Sequence, residues 1–107
     1  MKLIFAIVSN DDAGMVINAL VEQKFSVTKL ATTGGFLKAG NTTLLMGVDD
    51  DKLQAAIDLI GRHSRKRTQP MPILRPSEVG LFDTQTVDVI VGGATIFVTD
   101  VFKFIKL

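Results

Sequence analysis

The sequence predicts an α+β fold, a small antiparallel sheet with two helices on one of its faces. Two observations carry this. The same phrase of apolar strand, acidic cap and amphipathic helix occurs twice, over residues 3–22 and 44–66. Strand-like alternation returns at residues 25–30, after the first phrase, and near the C-terminus. With 107 residues the chain has the size of one domain, 1–107, and enough length for one real core.

Residues 2–8 are almost wholly apolar and rich in branched and aromatic side chains, as suits a central buried strand. The opening is read as that strand and not as a signal peptide, because it has one lysine, a short apolar run and no small-residue cleavage pattern. Ser9 and Asn10 supply a helix cap, and Asp11 and Asp12 fall where carboxylates oppose the positive end of the helix dipole. Ala13, Val16, Ile17, Leu20 and Val21 then recur at helical spacing. Residues 25–30 alternate as a strand, and residues 42–48 form a second apolar strand. Asp49, Asp50 and Asp51 cap a second helix carrying Leu53, Ala56, Ile57 and Ile60 on one stripe.

Residues 67–85 hold Pro70, Pro72 and Pro76 with little periodicity and read as a long loop. Val87, Val89 and Val91 alternate, Gly92 and Gly93 make a turn or bulge, and residues 95–98 continue as a strand. The order βαββαβ with an extra C-terminal strand fits a ferredoxin-like sandwich. One sheet face then stays uncovered, and the apolar end with Val101, Phe102, Phe104 and Ile105 has no obvious partner. Both features predict a homo-oligomer.

Composition narrows the chemistry. There is no cysteine and one histidine, His63, which leaves no thiolate metal site, no cysteine nucleophile and no histidine pair. No catalytic residue and no metal ligand set is assigned, and the expected answer to enzyme activity is no. The balance of 12 basic to 11 acidic residues removes the usual case for a DNA or RNA binder. No apolar run approaches the length of a membrane span, so no membrane insertion is expected, and the default location is cytoplasmic. The basic cluster Arg62, His63, Arg65, Lys66 and Arg67 follows a helix end, where cations offset the dipole.

The most specific stretch is TTGGFLKAGNTT, residues 32–43. Gly34 and Gly35 can turn successive N–H groups into one phosphate-binding concavity. Phe36 beside them offers a face for a base, and the Asn41 amide can donate and accept at once, as reading an adenine edge requires. A second reading stays open, in which the glycines only make turns, Phe36 is core and Asn41 takes a left-handed conformation.

Around this loop the sequence resembles the PII-like cyclic di-AMP receptors of Gram-positive bacteria. The resemblance rests on MKLIFAIV, FSVTKLATTGGFLKAGNTTLLMGV and VGGATIFV, and covers nearly the whole chain. It implies a PII-like homotrimer with one cyclic dinucleotide in each cleft between neighbours. In its pattern Thr28 and the loop Gly35, Phe36 and Leu37 hold the ligand, Asn41 reads an adenine and Gly47 lies against a base or sugar. Phe97 comes from the neighbouring chain as a second aromatic. Ser26 stands where relatives often carry arginine, and Lys106 where they often carry glutamine. The function implied is signal transduction, in which cyclic di-AMP binding rearranges loops and is relayed to an unknown protein target. No cofactor beyond that ligand is expected. The alternatives are a trimer that binds ATP or another nucleotide, and a structural trimer that has lost ligand binding.

Overall fold

The computed structural model describes residues 1–30, 40–76 and 82–107. The elements run β1 (Lys2–Ser9), α1 (Asn10–Glu22), β2 (Thr28–Leu30), β3 (Asn41–Val48), α2 (Leu53–His63), β4 (Arg67–Pro76), β5 (Phe82–Val91) and β6 (Ala94–Asp100). Four strands form one sheet in the order β2-β3-β1-β6. Every pairing in it is antiparallel. This is the ferredoxin-like arrangement, with β6 in the outer place beside β1.

Side chains alternate across the sheet, and the alternation decides what each face does. Ile4, Ala6 and Val8 of β1 and Leu44, Met46 and Val48 of β3 are buried against the helices. Val16 and Leu20 of α1 and Ala56 and Ile60 of α2 close this core from above. The opposite face carries Leu3, Phe5 and Ile7 of β1 and Leu45 of β3, none of them fully buried. No helix covers that face among the described residues.

The first helix begins as the sequence indicates. Ser9 is its N-cap and accepts a hydrogen bond from the Asp11 amide at 3.3 Å, with Asp11 and Asp12 in the first turn. It ends without a glycine: Lys24 takes a φ of 66°, and the Phe25 amide donates back to the Leu20 carbonyl at 2.9 Å. That reversal sets Phe25 and Val27 against the core and leaves only Thr28–Leu30 as strand. The second helix departs from expectation in detail. Asp49 makes no side-chain cap bond, and a single 3-10 turn over Asp50–Lys52 leads into α2. The carboxylates there still face the positive end of the dipole.

Residues 67–85 are not the long loop that the prolines suggest. Most of them belong to β4 and β5, which pair antiparallel over ten residues each as a separate two-stranded ribbon. Val87, Val89 and Val91 are part of this ribbon, and the extra strands therefore precede the last sheet strand. A ten-residue strand spans about 33 Å, which explains a molecule 66 Å long and only 27 × 20 Å across.

The base of the ribbon is anchored. Arg67 donates to both carboxylate oxygens of Asp12, at 3.2 and 3.0 Å, and Asp12 is buried at the start of α1. This bidentate contact holds the Arg67 guanidinium above its usual pKa. At the far end of β5, Gly92 and Gly93 take φ values of 81° and 84°, and the Gly93 amide donates to the Ser64 carbonyl. The other end of the sheet is tied by Lys2 of β1, whose ammonium pairs with Asp100 of β6 and is raised in pKa by that hydrogen bond.

Candidate functional site

Register places the sequence-derived site residues. Thr28 of β2 stands opposite Leu45 of β3. Leu45 stands opposite Phe5 of β1, and Phe5 opposite Phe97 of β6. These four make one row across the sheet, all on the face away from the helices. Asn41 and Gly47 have the parity of Leu45 on β3 and lie on that same face. Thus Thr28, Asn41, Gly47 and Phe97 share one surface. Gly35, Phe36 and Leu37 lie outside the described residues.

Within one chain this surface does not gather the four into a single pocket. Thr28 and Phe97 occupy opposite edge strands, about 14 Å apart at three strand spacings. Asn41 and Gly47 lie at opposite ends of β3, about 20 Å apart at six residues of rise. Two depressions mark those two ends. The larger, about 340 Å³, is lined by Asn41 and Ile7 together with Lys66, Gly92, Gly93, Ala94 and Thr95. The smaller, about 220 Å³, is lined by Gly47, Ser26, Phe25, Lys24 and Lys52 among others. Phe97 is 59% exposed, an aromatic face open to whatever approaches the β6 edge.

The surroundings of Asn41 are built from the backbone outward. The Asn10 backbone amide donates to the Gly40 carbonyl at 2.7 Å, joining the first residue of α1 to the entry of β3. The Asn10 carboxamide and the Thr42 hydroxyl are hydrogen-bonded. Turned to satisfy its neighbours, that carboxamide also donates to the Asn41 carbonyl at 3.1 Å. The Asn41 backbone is held on both sides while its side chain stays exposed.

Two residues of this depression receive no ligand role from the sequence. Lys66 follows α2 and Thr95 opens β6, and neither is near Asn41 in sequence. Topology joins them, because β6 and β3 flank the same strand β1. Lys66 brings a cation and Thr95 a hydroxyl to a cleft whose other polar group is an amide, a donor set suited to a phosphodiester. Ser26 lines the depression at Gly47, and Lys106 lies in the exposed C-terminal segment. Among the described residues no group of three or more His, Asp or Glu side chains could hold a metal ion. No helix among them is long and apolar enough to cross a membrane.

The comparisons with known proteins agree with this chemistry. A family model described as cyclic-di-AMP receptor matches residues 1–107. Among solved structures, the chain is similar to a functionally unknown protein from Pediococcus pentosaceus ATCC 25745. The two are 33% identical, with 99% of this chain and 96% of that chain covered and a TM-score of 0.76. A match over the whole chain, on a ferredoxin-like sheet whose open face carries Thr28, Asn41, Gly47 and Phe97, places the protein in the cyclic-di-AMP receptor family.

Proposed function

We propose that residues 1–107 form one PII-like signalling domain that binds cyclic di-AMP in clefts between the copies of a cytoplasmic homotrimer. The observation that carries this is the split placement of the site residues: Thr28 on one edge of the sheet and Phe97 on the other, both on the uncovered face. Two edges that cannot meet within a chain can meet when copies pack side by side. The β2–β3 side of one copy would then supply Thr28, Asn41 and Gly47, and the β6 side of the next would supply Phe97. The uncovered Leu3, Phe5, Ile7 and Leu45, with the exposed Phe102, Phe104 and Ile105, give that packing its apolar area.

In this cleft the Asn41 amide pairs with an adenine edge, while Phe36 and Phe97 offer stacking faces. Lys66, Thr28 and Thr95 face the phosphodiesters, and Gly35 and Leu37 are assigned to ligand binding by the family resemblance. Each of these groups is of a type that binds, and none is a histidine or carboxylate that could move a proton, which suits a receptor. The bound state is relayed to a protein target through rearrangement of the segments 32–41 and 67–85; of these, Asn41 lines the depression that the ribbon base reaches through Gly92 and Gly93. ATP is the less suitable occupant, because the cleft offers few cations for three phosphates.

Asn41→Ala tests the assignment. An amide reading a base edge contributes about 1–3 kcal/mol of discrimination, so the variant is expected to bind cyclic di-AMP roughly 10- to 100-fold more weakly in calorimetry, with unchanged thermal stability. Full affinity in that variant would remove Asn41 from the site.

A further inference from the structure

The three prolines of β4 sit at residues 70, 72 and 76, all of one parity. In an antiparallel pair, residues alternate between pointing N–H and C=O at the partner strand and pointing both away. The register from Arg67↔Val91 to Pro76↔Phe82 runs without interruption. The prolines therefore turn their missing N–H positions outward, where no bond to β5 is lost. The consequence is an asymmetric ribbon. The outer edge of β4 is blocked at three positions, since a strand added there would find no donor.

The outer edge of β5 is different. The residues opposite that parity class are Phe82, Thr84, Thr86, Asp88 and Ile90, and none is proline. Each points an N–H and a C=O away from β4. Among the described residues no third strand takes them up. Thr86, Asp88 and Ile90 are exposed there, Ile90 at 74%. One of these five outward residues, Asp88, carries a negative charge. Asp88 stands opposite Pro70, with Thr68 and Pro72 as its diagonal neighbours, so no cation of β4 faces it. Asp83 belongs to the other parity class and stands opposite Arg75, so Asp88 is the one charge of the outward class.

We propose that the outer edge of β5 is a docking site for an extended, basic segment of a partner protein, which adds to the ribbon as a third strand beside β5 with a lysine or arginine against Asp88. Backbone bonds to the five outward residues hold the segment, and Asp88 selects its charge. The same carboxylate disfavours registers in which two copies of β5 would bring Asp88 against Asp88. This inference does not rest on the identity of the nucleotide.

The test uses the full chain and two synthetic ten-residue peptides, one alternating lysine with valine or threonine, the other with glutamate in place of lysine. Amide exchange by NMR is followed on titration. The lysine peptide is expected to slow exchange at Thr84, Thr86, Asp88 and Ile90, and the glutamate peptide is not. Thr86→Pro removes one outward N–H and no bond to β4, so it is expected to abolish this protection while the β4–β5 amides stay protected. Asp88→Lys is expected to weaken the lysine peptide roughly two- to fivefold, the size of one cross-strand ion pair, and to favour the glutamate peptide. Protection that survives Thr86→Pro, or no protection by either peptide, would overturn the proposal. So would a self-association of the chain that Thr86→Pro abolishes, since the occupant would then be a second copy.

Discussion

Leu45→Glu is expected to yield a folded single chain that no longer binds cyclic di-AMP. Leu45 sits at the centre of the open face, between Thr28 and Phe5 in register. Its neighbours Leu44 and Met46 point the other way into the core, so a carboxylate at residue 45 leaves the helix side untouched. In a single chain the new group meets water. Between packed copies it would be an unpaired charge cut off from solvent, at a cost of several kcal/mol per ion. A symmetric assembly meets that cost once in every copy. Light scattering is expected to give the mass of one chain, circular dichroism an unchanged spectrum, and calorimetry no heat with the dinucleotide. A variant that keeps the mass of three chains would contradict the assignment of this face to the assembly.

Gly92→Ala is expected to be the most damaging glycine-to-alanine substitution among the described residues. The φ of 81° at this residue is left-handed, which costs a residue with a Cβ about 1–2 kcal/mol. The added carbon would also overlap the Arg65 carbonyl oxygen and come within 2.7 Å of Arg67 Nη1. One obstacle is backbone; the other is the guanidinium held by Asp12. Neither yields without loosening the ribbon base, and such overpacking costs about 1–3 kcal/mol more. The melting midpoint is expected to fall by roughly 10 °C or more, with faster amide exchange at both ends of the ribbon. Gly93→Ala is the control. Its φ is similar, but its Cβ would meet only the flexible Lys66 side chain, at 2.9 Å, so the drop is expected to be about half as large. Arg67 Nη1 donates to the Arg65 carbonyl at 3.2 Å, and equal midpoints for the two variants would show that this contact does not hold the base.

These two residues also mark how far the sequence could be read. The four long elements β1, α1, β3 and α2 were legible because each buries one side of a regular pattern, with period two at Ile4, Ala6 and Val8 and helical spacing at Val16 and Leu20. Strand β4 was not legible. Proline argues against a strand when its place in a sheet is unknown, and only the register shows that Pro70, Pro72 and Pro76 all turn their missing donors outward. The Asp12–Arg67 contact joins residues 55 apart and leaves no local signal. Asp12 looked like one more acidic residue in a first helical turn, and Arg67 like one more cation after a helix.

For the site, strand alternation over residues 42–48 already put Leu45 and Gly47 on one side of β3, and Asn41 joins them because the strand begins one residue earlier than its apolar pattern. Alternation could not say which side Thr28 and Phe97 share with them, because that depends on pairing across the sheet. The opposite-edge placement of Thr28 and Phe97 is likewise a product of strand order. Lys66 and Thr95 joined the cleft for the same reason: β6 lies next to β1, and β1 next to β3.

The most direct measurement is a calorimetric titration of the folded, assembled protein with cyclic di-AMP, with cyclic di-GMP and ATP titrated in parallel. The proposed cleft between neighbours, repeated around a trimer, predicts one cyclic di-AMP per chain, with little or no heat from the other two. Absence of heat with cyclic di-AMP, in a sample with the mass of three chains, would contradict it. So would a stoichiometry of one ligand per three chains, which would place the dinucleotide on the assembly axis and not between the edges that carry Thr28 and Phe97.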